Sequence, residues 1–157
     1  MCFAFGKSEH DWHSGPNFEL AKNTVRLREK YLAQSWNVVI VAQLELAEIL
    51  QDMNIPVDLI IKEKIGVYLN SEGFVDEAAA FLRTTGVKEV IPVAQRFLHI
   101  FKCMSLIRAA GFTLRIEWIT YIGFDPHSEQ SWTRSRWALF VYTLQKILRI
   151  HKHKPSS

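Results

Sequence analysis

The residues best suited to chemistry lie in one stretch, Gln95-Arg96-Phe97-Leu98-His99-Ile100-Phe101-Lys102. His99 and Lys102 are three positions apart, a spacing that puts both side chains on one face of a helix. That face is expected to turn away from an apolar stripe at Phe97, Ile100, Phe101, Met104 and Ile107. A helix start offers free backbone amides and the positive end of the helix dipole, so a phosphate or carboxylate is held there at little cost. Arg96 and Lys102 would clamp such an anion. His99, whose ordinary pKa lies near neutrality, would give or take a proton. Glu63 is the expected partner to orient or charge His99. The competing reading is a solvated helix start whose cations meet nearby carboxylates.

Lys7, Glu45, Asn70 and Ser71 complete the expected lining of this ligand site. His10-Asp11-Trp12-His13 places two histidines three apart without any accompanying zinc pattern, so a structural loop is expected and no metal site. Gly6 stands alone after the first apolar run, and the Gly-x-Gly-x-x-Gly spacing of dinucleotide sites is absent. A Gly-x-Ser-x-Gly elbow and a phosphate-binding loop are absent as well. S-adenosylmethionine is compatible with the expected fold type alone, and no residue demands it.

These side chains need elements to hold them. Short β-rich runs alternate with longer amphipathic stretches along the chain. Strands are expected at Cys2–Gly6, Asn37–Val41, Val57–Ile61, Glu89–Val93 and Thr113–Ile119. Helices are expected at Phe18–Gln34, Leu44–Met53, Glu72–Thr84, Phe97–Ala110 and Trp132–Ile150, with Gly86 and Gly111 in the usual C′ role. Strands alternating with helices of ten or more residues predict an α/β fold, a single-domain three-layer α/β/α sandwich with a mainly parallel five-stranded sheet. Residues 1–150 form that domain and 151–157 a basic, frayed tail. Ligands of such sheets bind at the carboxyl ends of the strands, where all the candidate residues above fall.

Composition bounds the alternatives. The chain has 157 residues, 48% of them hydrophobic and 22% charged, which fits one globular domain and excludes disorder, collagen and a coiled coil. A net charge of +3, part of it in the tail, is too small to point to nucleic acid. Cys2 and Cys103 cannot build a disulfide framework, and Cys103 sits in an apolar helical pattern as a small core residue. No apolar run reaches the roughly 18 residues of a membrane span, and no leader pattern stands at the start. A cytoplasmic protein is expected.

The order of elements resembles the SanA/YdcF/ElyC-like family of bacterial domains of unknown function, from Cys2 to about Leu148. The glutamate that follows the family's second strand falls on Glu45, and the one after its third strand on Glu63. The Asn-Thr pair falls on Asn70-Ser71, and the His-x-x-Arg segment on His99 and Lys102. Ile107–Phe112 matches the family's helix end. Ala42-Gln43-Leu44 replaces the family's glycine turn, and Lys102 lacks the planar fork of the arginine it replaces. The resemblance implies a Rossmann-like fold and a link to bacterial envelope processes, with no established reaction.

The sequence therefore supports a site for a small anionic or nucleotide-like molecule. A reading from another class stands beside it: a catalytically silent interaction module or homodimer. Five tryptophans make an aromatic patch plausible, with Trp118, Trp132 and Trp137 near the last strand and helix.

Overall fold

A computed structural model describes residues 1–5, 15–63, 69–128 and 130–152, the last seven by backbone alone. Helix α1 (Pro16–Leu32) begins on a proline, whose fixed φ suits the first turn and whose missing N–H costs nothing there. Strand β1 (Val41–Gln43) runs directly into α2 (Leu44–Asp52), and β2 (Leu59–Ile61) follows. Helix α3 (Ser71–Thr84) is capped by Asn70, whose Oδ1 accepts the Gly73 N–H at 2.8 Å. Strand β3 (Glu89–Val90), α4 (His99–Ala109) and β4 (Thr113–Leu114) come next. A 3₁₀ turn (Ser131–Thr133) precedes α5 (Arg136–Lys152). Gly86 and Gly111 follow α3 and α4 at φ +72° and +88°, a backbone region where a Cβ is strained.

The expected three-layer sandwich around a five-stranded sheet does not form. The chain makes two separate two-stranded parallel sheets instead, β1 with β2 and β3 with β4. Val41 to Gln43 pair with Leu59 to Ile61, and Glu89 and Val90 pair with Thr113 and Leu114. Between the two sheets lies the segment Met1–Phe5, of which Cys2 alone forms isolated parallel bridges, to Ala42 on one side and Val93 on the other. Four backbone hydrogen bonds fix it: Cys2 N to Val41 O (2.8 Å), Gln43 N to Cys2 O (3.2 Å), Phe3 N to Val93 O (2.9 Å) and Val93 N to Met1 O (2.8 Å).

The ladders stop early because side chains take their donors. Asp58 Oδ2 accepts the Ile40 N–H at 2.6 Å, so β1 starts at Val41 and not at Asn37. Gln43 Oε1 accepts from Ala4 N (2.7 Å) and Asn17 Oδ1 from Phe5 N (2.8 Å), which ends the N-terminal pairing. Pro92 has no N–H to give, so β3 ends before Val93. Beyond Leu114 the fifth expected strand is tied to α1 by side chains. Asn23 Nδ2 donates to Thr120 Oγ1 at 2.7 Å while its Oδ1 accepts the Thr120 N–H at 2.9 Å. Lys30 pairs with Glu117 at 2.8 Å, and Tyr31 donates its hydroxyl to the same carboxylate.

Two apolar clusters form the core. One joins α1 and α2 through Leu20, Leu27, Leu46, Ile49 and Leu50, with Cys2, Phe5 and Ile122. The other joins α3 and α4 through Phe74, Val75, Ala78, Cys103 and Ile107, with Phe3 and Val41. Residues 2–5 thus contribute to both clusters as well as to the pairing between sheets. Burial pushes the Cys103 thiol well above its usual range. Among the described residues no helix is long and apolar enough to cross a membrane.

Candidate functional site

His99 is the first residue of α4 and Ser71 the first residue of α3. The His99 Nε2 lies 3.4 Å from the Ser71 Oγ. Just before His99 the backbone is strained, because Leu98 sits at φ +36° without being glycine. The buried face of α4 therefore runs through Cys103 and Ile107, while Phe97 and Phe101 are exposed, Phe101 by 65%. His99 continues that buried face inward. Its ring lies among Phe3 (6.1 Å between centroids), Phe5 (5.7 Å) and Trp132 (6.2 Å). The expected arrangement, His99 beside Lys102 on a face away from the apolar residues, is replaced by a histidine turned into them.

Burial lowers the His99 pKa to about 4, and the nearby Lys102 ammonium pushes the same way. The imidazole is neutral at physiological pH and so can accept a proton or a hydrogen bond. In the tautomer with Nε2 bare and the proton on Nδ1, the ring is a base within reach of a serine hydroxyl, the start of a nucleophile pair, here at a loose distance. Among the described residues no third group orients the ring, since the buried Nδ1 of His99 has no hydrogen-bond partner there. Gln95 shows a matching gap. It is buried, its Oε1 accepts the Phe97 N–H at 2.8 Å, and its Nε2 has no partner among the described residues. An amide nitrogen and a ring nitrogen are thus left open four residues apart, the amide a donor and the ring nitrogen a donor or an acceptor according to the tautomer. Buried polar atoms are nearly always satisfied, so two such atoms are an unusual feature of this interior.

The other expected site residues divide into three groups. Glu45 and Glu63 line one small polar pocket with Gln43, Ala4, Leu69 and Gln130. Lys102 holds Glu72 at 3.0 Å in a half-exposed ion pair, and Asn70 caps α3. Arg96 donates to Ile119 O at 3.1 Å, and its guanidinium lies 4.0 Å over the ring of Trp118. Lys7 lies outside the described residues, as do His10 and His13. Among the described residues no cluster of histidine, cysteine and carboxylate side chains could hold a metal ion.

The polar pocket and the His99–Ser71 contact draw on the same three chain segments, through different residues. Residues 3–5 border both, through Ala4 on one side and Phe3 and Phe5 on the other. Residues 69–71 do so through Leu69 and Ser71, and residues 130–132 through Gln130 and Trp132. Gln95 stands in the stretch the sequence points to but was given no role there, and Gln130 and the aromatic cover of His99 were not singled out for this site. Placing the buried face of α4 on Cys103 and Ile107 would have pointed to His99 at the next position toward the amino end, four residues before Cys103.

No family model matches the chain, and no curated protein or solved structure matches it either. The resemblance to the SanA/YdcF/ElyC-like family rests on the residues quoted for it. The fold-type argument for S-adenosylmethionine rested on the five-stranded sheet and goes with it.

Proposed function

We propose that this chain is a small-molecule-binding α/β domain whose site lies at the carboxyl ends of β1 and β2 and at the starts of α3 and α4. The observation that carries the reading is the open amide nitrogen of Gln95 and the open ring nitrogen of His99, set under an aromatic cover beside Ser71. This chemistry suits a neutral hydrogen-bonding head, such as a nucleobase or an amide, better than a bare anion. Both cations expected to hold an anion are engaged, Lys102 by Glu72 and Arg96 by Ile119 and Trp118. The two carboxylates of the adjoining pocket favour a ligand that also carries hydroxyl or amino groups. Nucleoside-like molecules combine these features. A role in bacterial envelope processes would follow from the family resemblance.

The test is a thermal-shift series with nucleosides, nucleotides, S-adenosylmethionine and sugar phosphates, run beside His99→Gln and Gln95→Leu. A ligand at about 100 times its Kd stabilises the native state by roughly 2.7 kcal/mol. That gain is expected for nucleosides and is lost in both variants. A gain that survives both substitutions, or none with any compound, overturns the reading.

A second reading has its own observation. Between residues 136 and 145 of α5 only Leu139 is buried, and Trp137 is 77% exposed. Trp118 is 70% exposed. Such a surface suits an interaction module or a homodimer. Light scattering that gives a dimer for the native chain and a monomer for the Trp118→Ser/Trp137→Ser double variant would favour it.

A further inference from the structure

A second cavity lies at the opposite ends of the strands. It measures about 130 Å³ and opens where the chain enters β1 and β3. Its walls are apolar and aromatic, chiefly Leu27, Tyr31, Trp36, Val38, Ile40 and Val90. An engineered cavity of about 150 Å³ with similar lining holds one benzene ring, so this one has room for a single ring or a short branched chain.

Two arginines stand in the lining, and they differ. Arg115 is committed: its Nε donates to Glu89 Oε2 at 2.8 Å and its guanidinium lies 5.0 Å over Trp36. Arg28, on α1, is half-buried and has no hydrogen bond or ion pair among the described residues. Glu89 balances Arg115, and among the described residues no carboxylate pairs with Arg28 in the lining of this apolar pocket. A guanidinium in that position is a planar fork waiting for a carboxylate.

From this geometry we infer that the cavity binds a small apolar carboxylic acid, with its ring or branched chain between Tyr31, Trp36 and Val38 and its carboxylate on Arg28. The site is independent of His99 and of the reading given above.

Isothermal titration of the full chain with benzoate and 4-methylvalerate tests it, with benzamide as the uncharged control. Benzoate is expected to bind at least about tenfold more tightly than benzamide, the scale of a charge-assisted hydrogen bond. Arg28→Gln is expected to remove that preference and leave the weak binding of benzamide. Val38→Phe fills the cavity and is expected to abolish both. Arg28 belongs to neither core cluster, so its replacement leaves the core intact, and the benzamide comparison needs no variant at all. Equal binding of benzoate and benzamide, an unchanged benzoate affinity in Arg28→Gln, or no binding to the folded native chain overturns the inference.

Discussion

Residues up to Leu114 and residues 115–145 are held in place by different means. The first region uses backbone pairing and deep apolar burial: α1 to α4 bury the two clusters, and residues 1–5 tie the sheets together. Among its described residues the second region adds no strand, and apart from the 3₁₀ turn and the start of α5 they are irregular. Beyond the three side chains it lends to the first cluster, Ile119, Ile122 and Leu139, single polar side chains anchor it: Asn23 at Thr120, Arg96 at Ile119, Arg26 at the Trp118 carbonyl, Arg134 at the Ser128 carbonyl. It also carries most of the exposed aromatic surface, with Trp118, Tyr121 and Trp137 all at least 60% exposed. A backbone ladder distributes its strength along a strand, whereas a side-chain peg concentrates it at one residue. Single substitutions should therefore act globally in the first region and locally in the second.

Phe74→Ala gives the largest expected effect. Phe74 is fully buried and its ring lies 4.8 Å from that of Phe3. The cavity left behind should cost about 3–5 kcal/mol in denaturant unfolding, with one cooperative transition. A loss under about 1 kcal/mol would end the claim that the first region is the rigid one.

Next comes the joint between the regions, where Trp132 of the second covers His99 of the first. The folded pKa of His99 is about 4 against an ordinary 6.5, so the unfolded chain takes up a proton that the folded one refuses. Stability is therefore complete above about pH 6.5 and falls as the pH drops toward 4, by up to roughly 3 kcal/mol at about 1.4 kcal/mol per unit. His99→Gln should flatten that slope. An unchanged profile in the variant would place the titrating group elsewhere.

Asn23→Ala is expected to be the mildest and the most confined. It removes two hydrogen bonds to Thr120 and should cost about 2 kcal/mol. Hydrogen exchange should quicken at residues 117–122 while the amides of Phe3 and Val93 keep their protection. Equal quickening in both places would erase the distinction between the regions.

The helices were legible because their signals are local. The apolar spacing of α1 and α2, the Asn70 cap and the glycines after α3 and α4 each act within a turn or two. The sheet was overread because its limits are set at long range. Nothing near Ile40 tells that a carboxylate eighteen residues on takes its N–H, nor near Ala4 that Gln43 does the same. Pro92 was the one local warning inside an expected strand. Part of the site was legible too, because residues at the carboxyl ends of strands do gather: Ser71 meets His99, and Glu45 shares a pocket with Glu63. The inward turn of His99 was hidden, since the apolar stripe was placed on Phe97 and Phe101 and the strained Leu98 shifts where the helix begins. The cavity beside Arg28 left no trace in the pattern at all, because it arises from how α1 and the strand starts fail to fill the space between them.

The two free cysteines lend the chain a built-in clock. Cys2 sits in one core cluster and Cys103 in the other, and both are buried. A thiol reagent can reach either sulfur only when its surroundings part. The speed at which each cysteine is labelled therefore counts how often its own half of the interior opens. Identifying the labelled peptide by mass would show whether the two halves breathe together or apart, with no probe added to the molecule.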